Sequence, residues 1–238
     1  MKNRNNLKAS VVLVHGAFAD ASSWRKIIPL LEKDGFTVTA VQIPLKSLAD
    51  DVATTKRLID AQENDVVLVG HSYGGAVITD AAAGKSKVKG LVYVAAFAPD
   101  AGETLAGLIE RFSPSPLGTA LAPDSAGFLY IDRPKFQQVF ANDLDKDEAA
   151  VLAATQKPIA GSIFGEAVTA AAWKTIPSWY IVSTQDNAIN PDLERFMAKR
   201  IGAQTKELKA SHVGFISNPN EIARVIETAA ASVSATSK

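Results

Sequence analysis

The 238-residue chain contains no cysteine and only three histidines. The absence of cysteine excludes disulfides, thiol nucleophiles, iron–sulfur clusters and cysteine-based zinc sites. Three histidines are too few to predict a dedicated metal site, so we expect none. The 25 lysines and arginines balance 25 acidic residues and form no basic cluster, so no nucleic-acid partner is predicted. No apolar run approaches the roughly 18 residues needed to span a bilayer, so we expect no membrane partner either.

The beginning of the chain carries no secretory pattern. Its first ten residues, MKNRNNLKAS, are polar, and the VVLV that follows is too short for the apolar region of a signal peptide. We therefore expect a cytoplasmic protein, or else an exported one whose leader has been removed. The composition leaves monomer and homodimer open.

Short apolar runs rich in β-branched residues alternate with helical patterns along most of the chain. The strand-like runs are residues 10–14, 37–43, 65–69, 90–95, 178–183 and 204–208. The helix-like stretches are residues 22–33, 48–63, 75–83, 192–201 and a last one from Pro219. Because the strand-like runs are almost continuously apolar, they predict strands buried on both faces. The alternation predicts an α/β fold with a doubly wound, mostly parallel sheet.

Residues 100–176 interrupt this alternation. They contain no strand-like run but several helix-like pieces, at residues 103–112, 134–141, 147–156 and 162–173. A loop of that length without structure would be unusual in a compact domain. We therefore predict a core of residues 1–99 and 177–238 and a helical cap of residues 100–176, inserted after the fourth strand, in a single compact domain.

A nucleophile motif follows the third predicted strand. The sequence Gly70-His-Ser-Tyr-Gly74 has the form G-x-S-x-G and stands between a valine-rich run and an alanine-rich helix. In that context the motif predicts a tight turn that presents the Ser72 hydroxyl above the strand ends. Glycine is expected at 70 and 74 because a Cβ there would clash.

A serine hydroxyl needs an adjacent base, and three histidines are available. His71 precedes the nucleophile and would point away from it, and His15 ends the first strand, where a structural role is favoured. His212 lies in the loop after the last strand, at the sheet edge where Ser72 is expected. Asp186 ends the preceding strand and could orient His212. Asp100 is the rival acid, whereas Asp192 is interpreted as an acidic residue in the first turn of a helix.

Two backbone amides are expected to stabilise an oxyanion. The Tyr73 N–H directly follows the nucleophile, and the loop His15-Gly16-Ala17-Phe18 follows the first strand. Gly16 allows close approach of the backbone, and the Ala17 N–H is the predicted second donor. Phe18 is expected to line the rim of a pocket.

These segments together resemble the α/β-hydrolase superfamily, from the first strand to the last helix. Within it the chain is similar to the branch of plant methylesterases and hydroxynitrile lyases and their bacterial esterase relatives. The segments that carry the resemblance are VLVHGAF, VVLVGHSYGG, LVYVAAFAP, IVSTQDNAI and SHVGFISNPNEIA. The resemblance implies a serine esterase mechanism, no organic cofactor and a helical cap over a small apolar pocket. Ser72, Asp186 and His212 match its triad, and Ala17 and Tyr73 match its oxyanion donors.

The chain departs from the lyases of that branch at two positions. They carry lysine directly after the catalytic histidine, where this chain has Val213, and threonine after the histidine of the first strand, where it has Gly16. Ser72 likewise excludes relatives with an aspartate nucleophile. The short leading segment leaves no room for two further strands, so a six-stranded sheet is expected.

The predicted function is hydrolysis of small to medium hydrophobic carboxylic esters through an acyl-enzyme. Alternatives on the same triad are a ligand-sensing hydrolase with slow turnover, a lyase, a C–C hydrolase and a perhydrolase, which fold alone does not separate. The substrate is expected to be a small molecule. Its predicted contacts are His15, Gly16, Phe18, His71, Leu105, Leu108, Phe128 and Phe164.

Overall fold

The computed structural model describes residues 8–236 of the chain. Six parallel strands form the main sheet, in the order β2-β1-β3-β4-β8-β9. They are β1 (Ser10–Val14), β2 (Thr37–Val41), β3 (Val66–His71), β4 (Val88–Val94), β8 (Ser178–Ser183) and β9 (Gln204–Leu208). Three further strands form a small antiparallel sheet: β5 (Leu121–Pro123), β6 (Phe128–Ile131) and β7 (Ile159–Ala160). The predicted six-stranded α/β architecture is confirmed.

Nine α-helices accompany the strands in the described part of the chain. They are α1 (Ile28–Lys33), α2 (Leu48–Asp60), α3 (Tyr73–Ala81), α4 (Leu105–Ile109), α5 (Arg133–Phe140), α6 (Lys146–Thr155), α7 (Pro191–Arg200), α8 (Gly214–Ser217) and α9 (Pro219–Thr236). Short 3₁₀ helices lie at Ala21–Lys26, Pro116–Thr119, Gly161–Gly165 and Ala172–Lys174. Within the described residues, no helix has both the length and the apolarity to span a bilayer.

Local chemistry explains where several helices begin and end. The Ser47 hydroxyl caps α2 by accepting the N–H of Asp50, as its spacing from that acidic residue predicts. The helix predicted over residues 22–33 divides into the 3₁₀ helix Ala21–Lys26 and α1. Pro29 explains the division, because it has no N–H to continue the α-helical ladder from the preceding turn.

The central strands carry the core. All residues of β1, β3 and β8 are buried, as strands covered on both faces require. For the two edge strands the prediction of burial on both faces is wrong: no residue of β9 is buried, and Val41 is the one buried residue of β2. The pairing places the carboxyl end of β1 beside that of β3, with Val14 opposite Gly70. The loops that follow β1, β3, β8 and β9 therefore open at one edge of the sheet.

Residues 100–176 lie between β4 and β8 in the chain and attach to the core at several points. Glu148 pairs with Arg25 at 2.5 Å, and Glu103 pairs with Arg200 at 2.8 Å. We call residues 100–176 the insert. It contains three of the four expected helices, as α4, α5 and α6, whereas the helix predicted over residues 162–173 is wrong: only the short 3₁₀ helices Gly161–Gly165 and Ala172–Lys174 lie there, with irregular chain between them. The insert also contains the small sheet β5–β7, which sequence periodicity did not reveal because its strands are only two to four residues long.

Candidate active site

Ser72 lies in a strained turn between β3 and α3. Its backbone has φ 54° and ψ −124°, in a region that residues with a Cβ rarely occupy. The carbonyl of Ser72 accepts the N–H of Gly75 and the N–H of Phe97, each at 3.0 Å. These two hydrogen bonds, one from α3 and one from the segment after β4, hold the turn in a conformation that costs roughly 1–3 kcal/mol.

The glycines of the motif allow this turn to form. A Cβ on Gly70 would lie 2.6 Å from the carbonyl oxygen of Gly74. A Cβ on Gly74 would lie 2.6 Å from the carbonyl oxygens of Val14 and His15. The crowding expected between positions 70 and 74 is found, and Gly74 also allows α3 to pack against the end of β1.

His212 and Asp186 form a buried hydrogen-bonded pair. Nδ1 of His212 lies 2.5 Å from Oδ2 of Asp186, and their side chains are 1% and 0% exposed. The other carboxylate oxygen of Asp186 accepts the N–H groups of Ala188 and Ile189, at 2.6 and 2.9 Å. The carboxylate is thereby fixed by three donors, and it holds the proton of His212 on Nδ1, which leaves Nε2 as the basic nitrogen.

The rival acid, Asp100, lies elsewhere. Its carboxylate pairs with Lys174 at 2.5 Å near the surface, and this hydrogen bond lowers the pKa of Asp100. Asp192 lies in the first turn of α7 and pairs with Arg195. Of the three acids considered, Asp186 alone contacts His212.

The loops that carry Ser72 and His212 meet at one edge of the sheet. The ring of His71, adjacent to Ser72, donates from Nε2 to the backbone carbonyl of His212 at 2.9 Å. The two rings stand 4.6 Å apart between centroids. The positions 72 and 212, which are distant in the chain, are therefore neighbours in the fold.

The loop after β1 reaches the other side of Ser72. A Cβ on Gly16 would lie 2.7 Å from the Cβ of Ser72, so the backbone of this loop approaches the nucleophile directly. Phe18 has φ 60°, which turns the chain just after Ala17. Tyr73 is the first residue of α3, where an N–H has no acceptor within the helix. Tyr73 directly follows Ser72, and Ala17 follows Gly16 in the loop beside it; their N–H groups as oxyanion donors stay a prediction.

His15 serves the loop itself. Its Nδ1 donates to the carbonyl of Gly16 at 2.8 Å, and its Nε2 accepts the N–H of Ile43 at 3.2 Å. Burial lowers the pKa of His15 to about 4, so the ring is neutral near pH 7. Because both nitrogens are engaged, the ring ties the loop after β1 to the segment that follows β2; a substrate contact by His15 stays a prediction.

His71 is also structural in its contacts. It is fully buried, and burial lowers its pKa well below the usual value. Its Nε2 carries the hydrogen donated to His212, and Nδ1 has no hydrogen-bond partner in the described part of the chain. The neutral ring supports the backbone of His212, and the substrate contact predicted for His71 stays a prediction.

An apolar crevice lies beside His212. The ring of Phe140, from α5, stands 4.9 Å from the ring of His212 and 6.1 Å from that of Phe18. The crevice has a volume of about 20 Å³, room for about one water molecule. Its lining is apolar at Phe18, Ala19, Phe136, Phe140, Leu152, Val213, Phe215 and Ile216 and polar at Asp20, Ser22, Ser23 and Thr155. Phe18 and residues of the insert line this crevice together, but neither Ser72 nor His212 is among its lining residues. A contact of Phe18 with substrate stays a prediction.

The other predicted pocket residues lie away from this crevice. Leu105 and Leu108 are fully buried in α4. Phe128 is half-buried in β6, and Phe164 packs against the core from the 3₁₀ helix Gly161–Gly165. A substrate contact by these four residues remains a prediction.

Two acidic residues at the site were not predicted from the sequence. The Asp51 carboxylate, in α2, accepts the hydroxyl of Tyr73 at 2.6 Å and the N–H of Leu45 at 2.8 Å. The Asp143 carboxylate, in the insert, accepts the N–H of Ser211 at 2.9 Å and the hydroxyl of Ser217 at 2.6 Å. The first anchors the residue after the nucleophile, and the second anchors the loop that carries His212.

Asp51 could have been suspected from helical periodicity alone. It lies on the same face of α2 as the buried residues Val52, Thr55 and Ile59, which is an unusual place for an acid. Asp143 stands in an irregular segment and left no such signal. No group of three or more metal-ligating side chains occurs among residues 8–236.

Comparison with known proteins gives both family and fold relationships. A family model described as "Alpha/beta hydrolase family" matches residues 11–225. Salicylic acid-binding protein 2 of Nicotiana tabacum is 29% identical over 246 residues, covering 89% of this chain and 93% of that protein. Polyneuridine aldehyde esterase of Rauvolfia serpentina is 26% identical over 248 residues, covering 90% and 93%. A pyrethroid hydrolase from Sphingobium faniae superposes with a TM-score of 0.80 at 22% identity, covering 92% of this chain and 96% of that one.

Proposed function

The chain belongs to the α/β-hydrolase family, and on that premise we propose that it is a serine carboxylesterase for small to medium hydrophobic esters. The observation that carries the proposal is the buried bond between His212 and Asp186, at the sheet edge where the strained turn presents Ser72. A relative named as an esterase supports the same class of reaction.

In the proposed mechanism the Ser72 hydroxyl attacks the ester carbonyl carbon and passes its proton to Nε2 of His212. The N–H groups of Ala17 and Tyr73 stabilise the oxyanion of the tetrahedral intermediate. The alcohol leaves with the proton from His212, so Ser72 is acylated. Water then attacks the acyl group with His212 again as base, which releases the acid and restores Ser72. Asp186 orients the imidazole and stabilises its protonated form.

The neighbourhood of His212 favours ester hydrolysis over lyase chemistry. The residue after it is Val213, an apolar side chain 2% exposed, where the lyases of the resembled branch carry lysine. The ring of Phe140 stands 4.9 Å from that of His212, and such an apolar neighbour suits a hydrophobic acyl or alcohol group.

The test is hydrolysis of a p-nitrophenyl ester series, from acetate to octanoate, by the wild type and Ser72→Ala. We expect kcat to fall at least about 10⁴-fold in the variant, because the nucleophile is lost. Ser125→Ala, an exposed serine in the turn between β5 and β6, is the control and should leave kcat unchanged. A fluorophosphonate probe should label Ser72 in the wild type.

Unchanged turnover in Ser72→Ala would refute the proposal. Turnover below about one per minute on every ester, together with tight retention of a ligand, would instead favour the ligand-sensing alternative.

A further inference from the structure

A second buried carboxyl group lies behind Asp186. Glu194, in the first turn of α7, is 0% exposed. Its Oε2 accepts the N–H of Ser183, the last residue of β8, at 3.0 Å. Its Oε1 is also buried, and no N–H or O–H group of the described residues donates to it. The carbonyl of Ser183 accepts the backbone N–H of Asp186 at 3.2 Å, so Glu194 and Asp186 meet at the end of β8, where their carboxyl groups are close enough to share a hydrogen bond.

The neighbouring groups leave Glu194 without a cation. Arg195 follows it in the helix, but that guanidinium pairs with Asp192 and Glu207 at the surface. Tyr180, on β8, donates its hydroxyl to the carbonyl of Ala96 and so has none for Glu194.

Two adjacent buried carboxylates could not both be charged at a low free energy. Asp186 has donors on both oxygens, from Ala188, Ile189 and His212, and these stabilise its anion. Glu194 accepts only one N–H. Burial, the charge of Asp186 and a hydrogen bond with Asp186 raise the pKa of Glu194 well above its usual value. The proton shared by the pair therefore belongs on Glu194.

We propose that Glu194 is a neutral carboxylic acid that donates a hydrogen bond to Asp186 and thereby acts as a positioning residue for His212. The inference rests on the proposed function, in which Asp186 and His212 serve ester hydrolysis. The donated bond fixes the Asp186 carboxylate from the side opposite the imidazole. It also withdraws negative charge from that carboxylate, which weakens its stabilisation of protonated His212.

The pH dependence of kcat/KM separates this role from a purely structural one. In Glu194→Gln the amide can donate to Asp186 and accept from Ser183, and no charge changes if Glu194 is neutral. We expect kcat and KM within about twofold of the wild type and an unmoved acid limb of the profile. If Glu194 is ionised, the same variant removes a negative charge beside Asp186 and moves the acid limb to lower pH by about one unit. That shift would overturn the proposal.

Glu194→Met removes the donor while keeping a side chain of similar length. We expect its acid limb to move to higher pH by about half a unit to one unit, because Asp186 then stabilises protonated His212 more strongly. We also expect kcat to fall about tenfold with little change in KM, because a hydrogen bond to a charged group is lost. An unmoved acid limb in folded Glu194→Met would contradict the positioning role.

A measurement independent of activity locates the proton directly. In protein labelled with ¹³C at the glutamate side-chain carboxyls, the resonance that disappears in Glu194→Gln should keep the shift of a protonated acid through pH 7. Glu207, whose pKa Arg195 lowers through a hydrogen bond, is the matched reference, assigned with Glu207→Gln and expected at the ionised shift.

An ionised shift for Glu194 at pH 7 would overturn the inference whether or not the protein hydrolyses esters. A protonated shift in a protein that hydrolyses no ester would leave the proton on Glu194 and refute the proposed function alone. The spectrum of the wild type also tests the inference if Glu194→Met does not fold.

Discussion

At the scale of single residues, the two buried acids beside the candidate site, Asp51 and Glu194, lie in the first turns of helices, where exposed acidic residues are common. Asp51 follows the exposed Asp50 in the first turn of α2, and Glu194 follows Asp192 in the first turn of α7. Acidic residues in such turns are expected to be solvated and to interact favourably with the helix dipole. Asp51 and Glu194 are instead 0% exposed. A sequence records the sign of a charge, whereas its burial is at most suggested by helical periodicity, as for Asp51, and the chemistry here depends on burial.

Asp51 makes stability depend on pH in a predictable direction. Burial raises its pKa to about 6, from a usual value near 3.8. The favourable contribution of its protonated form is complete below about pH 4 and is lost as pH rises through 6. Asp51→Asn lacks this loss. We therefore expect the free energy of unfolding of the variant, relative to wild type, to become more favourable by up to about 3 kcal/mol between pH 4 and pH 7.

Urea unfolding at the two pH values measures this difference. The control is Asp50→Asn, in the same turn but exposed, whose difference from wild type should stay within about 0.5 kcal/mol. If the difference in free energy of unfolding between Asp51→Asn and the wild type does not change with pH, the Asp51 carboxyl does not cause the pH dependence of stability.

The histidines show what reasoning from the sequence can and cannot reach. His212 could be selected because His71 was expected to point away from Ser72 and a structural role was favoured for His15, and the bond to Asp186 agrees with that selection. The contacts predicted for Leu105 and Leu108 had no comparable support. Side-chain direction in an irregular insert is decided by packing, which neither spacing nor periodicity reports.

At the scale of elements, the turn from β3 into α3 depends on close backbone packing. Strand positions were predictable to within about two residues because buried parallel strands are continuous apolar runs. The small sheet of the insert was not, since a two-residue strand such as β7 (Ile159–Ala160) has no period to detect. The glycines of G-x-S-x-G predicted the close contact between positions 70 and 74. They did not predict the join of α3 to β1, where Gly74 packs against the carbonyl oxygens of Val14 and His15.

Gly74→Ala tests this join. The added Cβ would lie 2.6 Å from two backbone oxygens that cannot move independently. We expect the free energy of unfolding to fall by about 1–3 kcal/mol, or more, since overpacking against backbone forces a shift of the helix. We also expect kcat on the ester series to fall, because the shift displaces Ser72.

Gly118→Ala is the matched control, since a Cβ at Gly118 would meet nothing within 4 Å. Chemical denaturation of both variants and the wild type gives the comparison. Equal stabilities of the two variants would contradict the packing argument.

At the scale of the whole molecule, the insert and the sheet share one hydrophobic core. Buried residues of the insert, including Phe136, Ile159 and Ile163, belong to the same cluster as the strands. The backbone N–H of Ala160 also donates to the carbonyl of Leu45 in the core, at 2.9 Å. The existence of an insert was predictable from the break in alternation, whereas its continuity with the core was not.

Ile163→Ala should therefore destabilise the entire molecule. Ile163 is 0% exposed, and we expect a loss of about 2–5 kcal/mol with a single unfolding transition, seen at the same midpoint by far-UV and near-UV circular dichroism. Val151→Ala, in α6 of the insert and 61% exposed, should change the midpoint little. Two separated transitions would mean that the insert unfolds by itself.

The positive φ of Ser72 limits which residues can replace it during evolution. A side chain branched at Cβ is strongly disfavoured at such a φ, so threonine is a poor replacement even though it has a hydroxyl. Serine, cysteine and aspartate carry a single heavy atom on Cβ beyond Cα, so they fit the same turn. The turn therefore allows the reactive atom to change during evolution, but only in a side chain that is unbranched at Cβ.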